Sequence, residues 1–267
     1  MSGLLNSGGF MNAKGLVVTI GGREFLVSGE LSLGLGGSIK VVDVQTGGLT
    51  GTQYDSGQKY QEDSAQGSAN TKQITASLWF KPDSSQANSV QRLWYNIAVL
   101  HAVSLPQASA YTAVYNANHH DLRDDETWPT DDAWHHLMFS VDVTDSSKYH
   151  LYLDGVDVVA THVFSAGDIR MDFALVFGAA SGAGMNGGYS EWWWDDSYMD
   201  LSVEANRSKF RSVAGVPAYL GATGELPTGS TPKYYFPDGD ASSNLGTFTG
   251  SWTLTNGPVS SIDGPGA

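Results

Sequence analysis

The chain has 267 residues, with 14 basic against 28 acidic side chains, a formal charge of −14, 32 glycines and no cysteine. Disulfides and thiolate metal sites are thereby excluded. The acidity argues against nucleic-acid binding, which needs basic surface, and no run reaches the roughly 18 apolar residues of a membrane helix.

The length suits one large β domain or two small ones, and short apolar runs between glycines point to an all-β chain. The opening MSGLLNSGGFMNAKG has no basic region ahead of an apolar segment, so no secretory signal is readable. LVVTIGGREFLV sets two apolar runs around Gly21-Gly22, the pattern of a two-residue hairpin, and SIKVVDV (38–44) predicts another short strand. Residues 46–71 are Gly/Ser/Gln-rich, almost without aliphatics, and read as a long surface connection.

From residue 72 the pattern changes. KQITASLWFKP places Ile74, Ala76, Leu78 and Phe80 on one strand face. LWYNIAVLHAV (93–103), AYTAVYNA, DDAWHHLMFSVDV and KYHLYLDGVDVVATHVF follow as strands, the last turning at Asp154-Gly155. MDFALVFGAA and GYSEWWWD add two more, and Trp79 and Trp134 are expected in the core between two sheets. One helix is predicted near 202–213, opened by Asp200 or Ser202 and stopped by Gly215. PKYYFPDGD and GTFTGSWTLTNG give two late strands before a Gly/Pro-rich tail, and no repeat of solenoid length is present.

The order ITASLWFKP, AWHHLMFSVD, YHLYLDGVDVVA and GYSEWWWDDSYMDLS resembles the concanavalin A-like lectin/glucanase superfamily in its laminin-G and pentraxin style. The ending DLSVEANRSKFRSVAGVPAYLGATGELPTG, followed by YYF, resembles a subgroup found in tailed-phage virion and prophage proteins. The resemblance implies an all-β, two-sheet antiparallel jelly-roll sandwich, which the strand pattern reaches on its own. The division expected is a β attachment or oligomerisation region over 1–50, the sandwich with its short helix over 51–256, and a tail over 257–267.

Three tryptophans beside carboxylates allow two readings. Alternation puts Trp192 and Trp194 with Ser190 on one face, and Trp193 with Tyr189 and Glu191 on the other. One set then lines the core and the other is covered, or Trp192 and Trp194 form a sugar platform beside Asp195 and Asp196. Hydrolysis is disfavoured. Four residues at about 3.3 Å put roughly 13 Å between Glu191 and Asp195, against the 5–5.5 Å of a retaining pair. The Glu-x-Asp-x-x-Glu strand of the superfamily's glucanases is also missing.

Calcium is the one cofactor the acidic loops would suit, through Asp121, Asp124 and Asp125 or through Asp238 and Asp240; Asp131 and Asp132 extend the first set. Ser243 stands where a calcium loop needs Gly, and no Glu follows at the twelfth position. The adjacent pairs His119-His120 and His135-His136 face opposite ways in a strand, so neither chelates an ion alone.

The expectation is a non-enzymatic structural or adhesive protein on the surface of a phage-like particle. Its partners would be other virion proteins through residues 1–50, copies of itself and host-surface glycan, with no nucleic acid and no membrane. The alternatives are a free-standing extracellular lectin module and a glycoside hydrolase.

Overall fold

The computed structural model describes residues 10–12, 15–20, 23–27, 44–46, 49–55, 59–62, 70–86, 91–96, 102–105, 113–116, 120–123, 129, 131–159, 161–164, 167–169, 175–178, 185–256 and 259–266. It is a mostly antiparallel β-sandwich with almost no helix, as expected.

One sandwich sheet runs, edge to edge, β14 (Val156–Asp157), β13 (Tyr149–Leu153), β12 (His135–Asp142), β7 (Gln73–Pro82), β17 (Gly187–Asp195), β5 (Thr50–Tyr54) and β20 (Ser260–Asp263). A further strand, β18 (Tyr234–Phe236), pairs with β17. The other sheet runs β15 (Thr161–Phe164), β11 (His120–Arg123), β10 (Ala113–Asn116), β9 (Ala102–Leu105), β8 (Gln91–Asn96), β16 (Leu175–Gly178), β6 (Lys59–Glu62) and β19 (Trp252–Thr255). Strands β1 (Phe10–Asn12), β2 (Gly15–Ile20), β3 (Arg23–Val27) and β4 (Val44–Thr46) form a separate four-stranded sheet. β2 and β3 pair antiparallel, Ile20 opposite Arg23, as the hairpin reading expects, while Gly21 and Gly22 lie outside the described residues. Of the strand expected over 38–44, only Val44 lies inside the described residues.

The core between the sheets is made by strand alternation. Ile74, Ala76, Leu78 and Phe80 of β7 join Leu137, Phe139 and Val141 of β12, all buried, against Tyr60, Leu93, Leu175 and Phe177 of the facing sheet. The β13–β14 hairpin turns with positive φ at both Asp154 (51°) and Gly155 (84°), which glycine accepts without strain and aspartate tolerates.

A second buried cluster lies on the outer face of the β12–β7–β17 sheet. Met138, Tyr152, Trp193 and Tyr235 pack there against Met199, Leu201, Phe210 and Leu220. Residues 198–230 thus form an extra layer of turns over that face. This is why β7, β12 and β17 are buried almost along their whole length.

Several expectations are corrected. Residues 46–71, read as a loop, contain β5 and β6. Their cores are Tyr54 and Tyr60 rather than aliphatics, and the Tyr54 hydroxyl donates to the Gly239 carbonyl at 2.9 Å. The stretch 93–103 divides between β8 and β9, which pair antiparallel. The helix expected over 202–213 is one turn, α1 (Glu204–Arg207), because Val203 at its N-cap supplies no side-chain cap and turns follow directly. The stretch 257–267, read as a tail, holds β20, paired with β5.

Neither Trp79 nor Trp134 lies between the sheets. Trp79 is buried on the outer face, its ring stacked on His136 at 4.5 Å. Trp134 is half-buried and lies so close to Gly51 and Gly188 that a Cβ on either would come within 3.0 Å of its ring; its Nε1 donates to the Asp263 carbonyl at 3.1 Å. No helix among the described residues is long and apolar enough to cross a membrane.

Candidate functional site

The tryptophan run is set by a β-bulge. Pairing between β17 and β7 shifts by one residue between Ser190 and Trp193, and Glu191 within the shift has φ 48°. The extra residue reverses alternation, so Tyr189, Trp192 and Trp194 share the inner core while Trp193 faces outward. Trp192 and Trp194 are 1% and 2% exposed. Trp192 stacks on Phe236 at 4.8 Å and meets Phe177 edge-on at 4.5 Å. An enclosed indole offers no face to a sugar, so the platform expected of these two residues is instead a wall of the core. Trp193 is enclosed as well, its Nε1 donating to the Gly224 carbonyl at 2.8 Å.

Glu191 is also buried, with the Tyr235 hydroxyl donating to its Oε2 at 2.9 Å. Its carboxylate sits on the outer face, beneath the extra layer, while Asp195 lies at the strand end. They form no acid–base pair across an open cleft.

Asp195 and Asp196 do reach a rim of the sandwich. Asp195 is half-buried and accepts from the Ser197 hydroxyl; burial, then the neighbouring Asp196, raises its pKa. Asp196 is exposed, with Lys233 Nζ at 3.6 Å. The same end gathers residues that the sequence reading did not single out. Gln73 donates to Asp142 at 2.8 Å, and Lys148 lies within 3.7 Å of both Asp142 and Asp145. His150 Nε2 stands 3.0 Å from the Tyr198 hydroxyl and 3.2 Å from Asp200. Burial lowers the His150 pKa, opposed by Asp200. This rim, with carboxylates, a lysine, an imidazole and the half-buried Tyr198 ring, has the mixed donors and acceptors that sugar hydroxyls bond. The only advance signal was the DDSYMD polar run itself.

The calcium candidates fall in two places, and of Asp121, Asp124, Asp125, Asp238 and Asp240 only the last two have described side chains. Asp121 lies in β11, its backbone paired with Tyr115 and Val163, and Asp124 and Asp125 lie outside the described residues. Asp238 accepts from the Asp240 N–H and the Ser243 hydroxyl. Asp240 accepts from the Ser242 N–H and caps the 3-10 turn Ala241–Ser243. These carboxylates hold turns. Asp132 accepts from Ser84, and Asp131 with Asp154 brackets His135, at 2.9 and 2.7 Å from its two ring nitrogens. Among the described residues, no three His, Cys, Asp or Glu side chains are grouped to hold a metal ion. His135 and His136 do face opposite ways: His135, at the end of β12 away from Asp142, is held between Asp154 and Asp131, and His136 is enclosed against Ser77. His119 lies outside the described residues, and His120 is in β11.

The laminin-G model of the concanavalin A-like lectin/glucanases superfamily matches residues 55–196, and the chain belongs to this superfamily. No curated protein matches the sequence. Among solved structures, a candidate carbohydrate binding protein from Bacteroides ovatus is similar at TM-score 0.58 and 12% identity, over 82% of this chain and 61% of that one. This chain therefore spans less than two thirds of that relative. The heptameric SAP-like pentraxin of Limulus polyphemus is similar at TM-score 0.51 and 10% identity, over 80% of this chain and 94% of the pentraxin. At these identities the likeness is one of fold.

Proposed function

We propose that this member of the concanavalin A-like lectin/glucanase superfamily is a non-enzymatic, carbohydrate-directed binding protein, carried as a structural or adhesive part on the surface of a phage-like particle. One observation carries the non-enzymatic half. Glu191, the glutamate of β17, is buried beneath the layer formed by residues 198–230 and bonded to Tyr235, and the glucanase Glu-x-Asp-x-x-Glu strand is missing. The sugar-directed half is supported by superfamily membership and by the rim around Asp195, Asp196 and Tyr198.

The particle context is supported by the resemblance of residues 200–236 to the tailed-phage subgroup. That segment lies beyond the matched 55–196 and supplies the extra layer. Residues 1–50 would make the contacts to other virion proteins or to further copies of the chain, with calcium not required for the reading. A free-standing extracellular lectin shares the sugar-binding part and differs only in not being found in particles.

Two measurements test the proposal. The full chain is applied to a glycan array, and purified particles are searched for it by mass spectrometry. Retention of one glycan class and a fixed copy number per particle support the reading. Particles without the chain remove the virion part. Release of reducing sugar from β-glucans that disappears in Glu191→Gln would overturn the non-enzymatic part.

A further inference from the structure

Arg207 and Arg211 stand four residues apart and are used differently. Arg207 Nη1 donates to the carbonyls of Leu201 (2.6 Å) and Ser202 (2.9 Å), and its guanidinium lies 4.7 Å from the centre of the Tyr152 ring. Arg211 is half-buried with its guanidinium 5.7 Å from the centre of the Trp79 ring, and its enclosed Nε has no acceptor. Among the described residues its guanidinium makes no hydrogen bond and no ion pair, although the chain carries 28 carboxylate side chains. Two glycines flank it: a Cβ on Gly215 would lie 3.0 Å from Nη2, and one on Gly155 3.7 Å from Nη1. Asp154, whose pKa Arg211 helps to lower, is already engaged with the His136 N–H and with His135.

Two further ring nitrogens beside it lack a hydrogen-bond partner. Trp79 Nε1 is buried without an acceptor, and so is His136 Nδ1, on the ring stacked against Trp79. Ser77 Oγ lies 2.8 Å from His136 Nε2. Either atom can donate, and Nδ1 carries the imidazole proton in the tautomer whose Nε2 accepts from Ser77. Burial first, and Arg211 second, keep this imidazole neutral, with its pKa pushed down to about 3. An enclosed donor without an acceptor is destabilising. Arg211 Nε and Trp79 Nε1, in contact and one of them cationic, match a group that only accepts.

We propose that Arg211 heads an anion-binding site for the carboxylate or sulfate of an acidic sugar. The proposal rests on the carbohydrate-directed reading above and names its ligand class. A guanidinium fork fits a planar or tetrahedral oxyanion through two parallel bonds. The net charge of −14 opposes polyanionic chains, so the fit is to one acidic substituent on an otherwise neutral saccharide.

The full chain, labelled at arginine, is titrated with a glucuronate-terminated oligosaccharide, a monosulfated one, the neutral counterpart of each, and sodium sulfate alone. Calorimetry and the Arg211 Nε–H resonance are the readouts. The expected result is that the acidic sugars bind about tenfold more tightly than their counterparts and move the resonance. Arg211→Met should erase the preference but keep the neutral-sugar affinity. Arg211→Lys, which keeps the charge and the cover over Trp79, should retain part of it, and thermal unfolding confirms that both variants fold. Equal binding of acidic and neutral sugars, unchanged in Arg211→Met, overturns the anion site and leaves the carbohydrate reading intact. A resonance moved by sulfate with no sugar bound supports the anion site and removes the carbohydrate reading. No response to any probe overturns the proposal.

Discussion

Replacing Trp193 by Ala should loosen the extra layer before it loosens the sandwich. Trp193 is fully buried and is the indole that ties residues 198–230 to the sheet. It meets Phe210 edge-on at 5.1 Å and bonds the Gly224 carbonyl at 2.8 Å. Removing so large a buried aromatic costs about 3–5 kcal/mol, and leaving the Gly224 carbonyl unpaired adds about 1. At roughly 2–4 °C per kcal/mol for a chain of this size, the thermal midpoint should fall by about 10–20 °C. Trp193→Phe keeps most of the packing and loses the bond, so it should cost about 1–2 kcal/mol. Thermal unfolding by circular dichroism gives the totals, and limited proteolysis with mass mapping gives the location. Trp193→Ala should be cut first within 198–230. Trp192→Ala, on the inner face, should lose similar stability without that selective cutting. A loss below about 1 kcal/mol for Trp193→Ala, or the same cutting pattern in both variants, refutes the two-layer account.

Gly239→Ala should destabilise by about 2 kcal/mol or more, since its φ is 77° and its Cβ would come 2.2 Å from the Tyr189 carbonyl; calorimetry checks it. Acid should separate the adjacent histidines. His136 contributes stability that is whole above pH 6.5 and is lost as pH falls toward its folded value of about 3, with a slope near 1.4 kcal/mol per pH unit, so His136→Gln should flatten denaturant midpoints there. Burial alone would lower the His135 pKa, but Asp154 and Asp131 raise it above 6.5. Its contribution is therefore whole below 6.5 and fades as pH rises through the folded value, a decline that His135→Gln should remove. Deleting residues 1–46, which stops short of the buried Leu49 and of β5, should leave a folded sandwich that no longer assembles; failure to fold would place the attachment surface elsewhere.

What was legible in the sequence followed from burial on one face. Ile74, Ala76, Leu78 and Phe80 declare a core face by alternation, and Asp154-Gly155 declares its turn because both positions need positive φ. Strands β5 and β6 were hidden because their buried positions are glycine, threonine and tyrosine, whose polar atoms look like loop. Trp79 was misplaced for a different reason. With Ile74 to Phe80 facing inward, period two already turns Trp79 outward, and only a covering layer makes an outward indole a buried one.

The candidate site failed at a single residue. Alternation through Ser190, Trp192 and Trp194 holds only while the register holds, and the bulge at Glu191 breaks it without the glycine that often marks one. The break puts two indoles into the inner core and one under the outer layer, and it seals the strand's glutamate beside Tyr235. One inserted residue therefore uses all three tryptophans for cohesion and removes the strand's carboxylate from solvent. What stays open to solvent lies elsewhere, where Asp196 and Tyr198 reach the surface and where, among the described residues, the Arg211 guanidinium makes no ion pair.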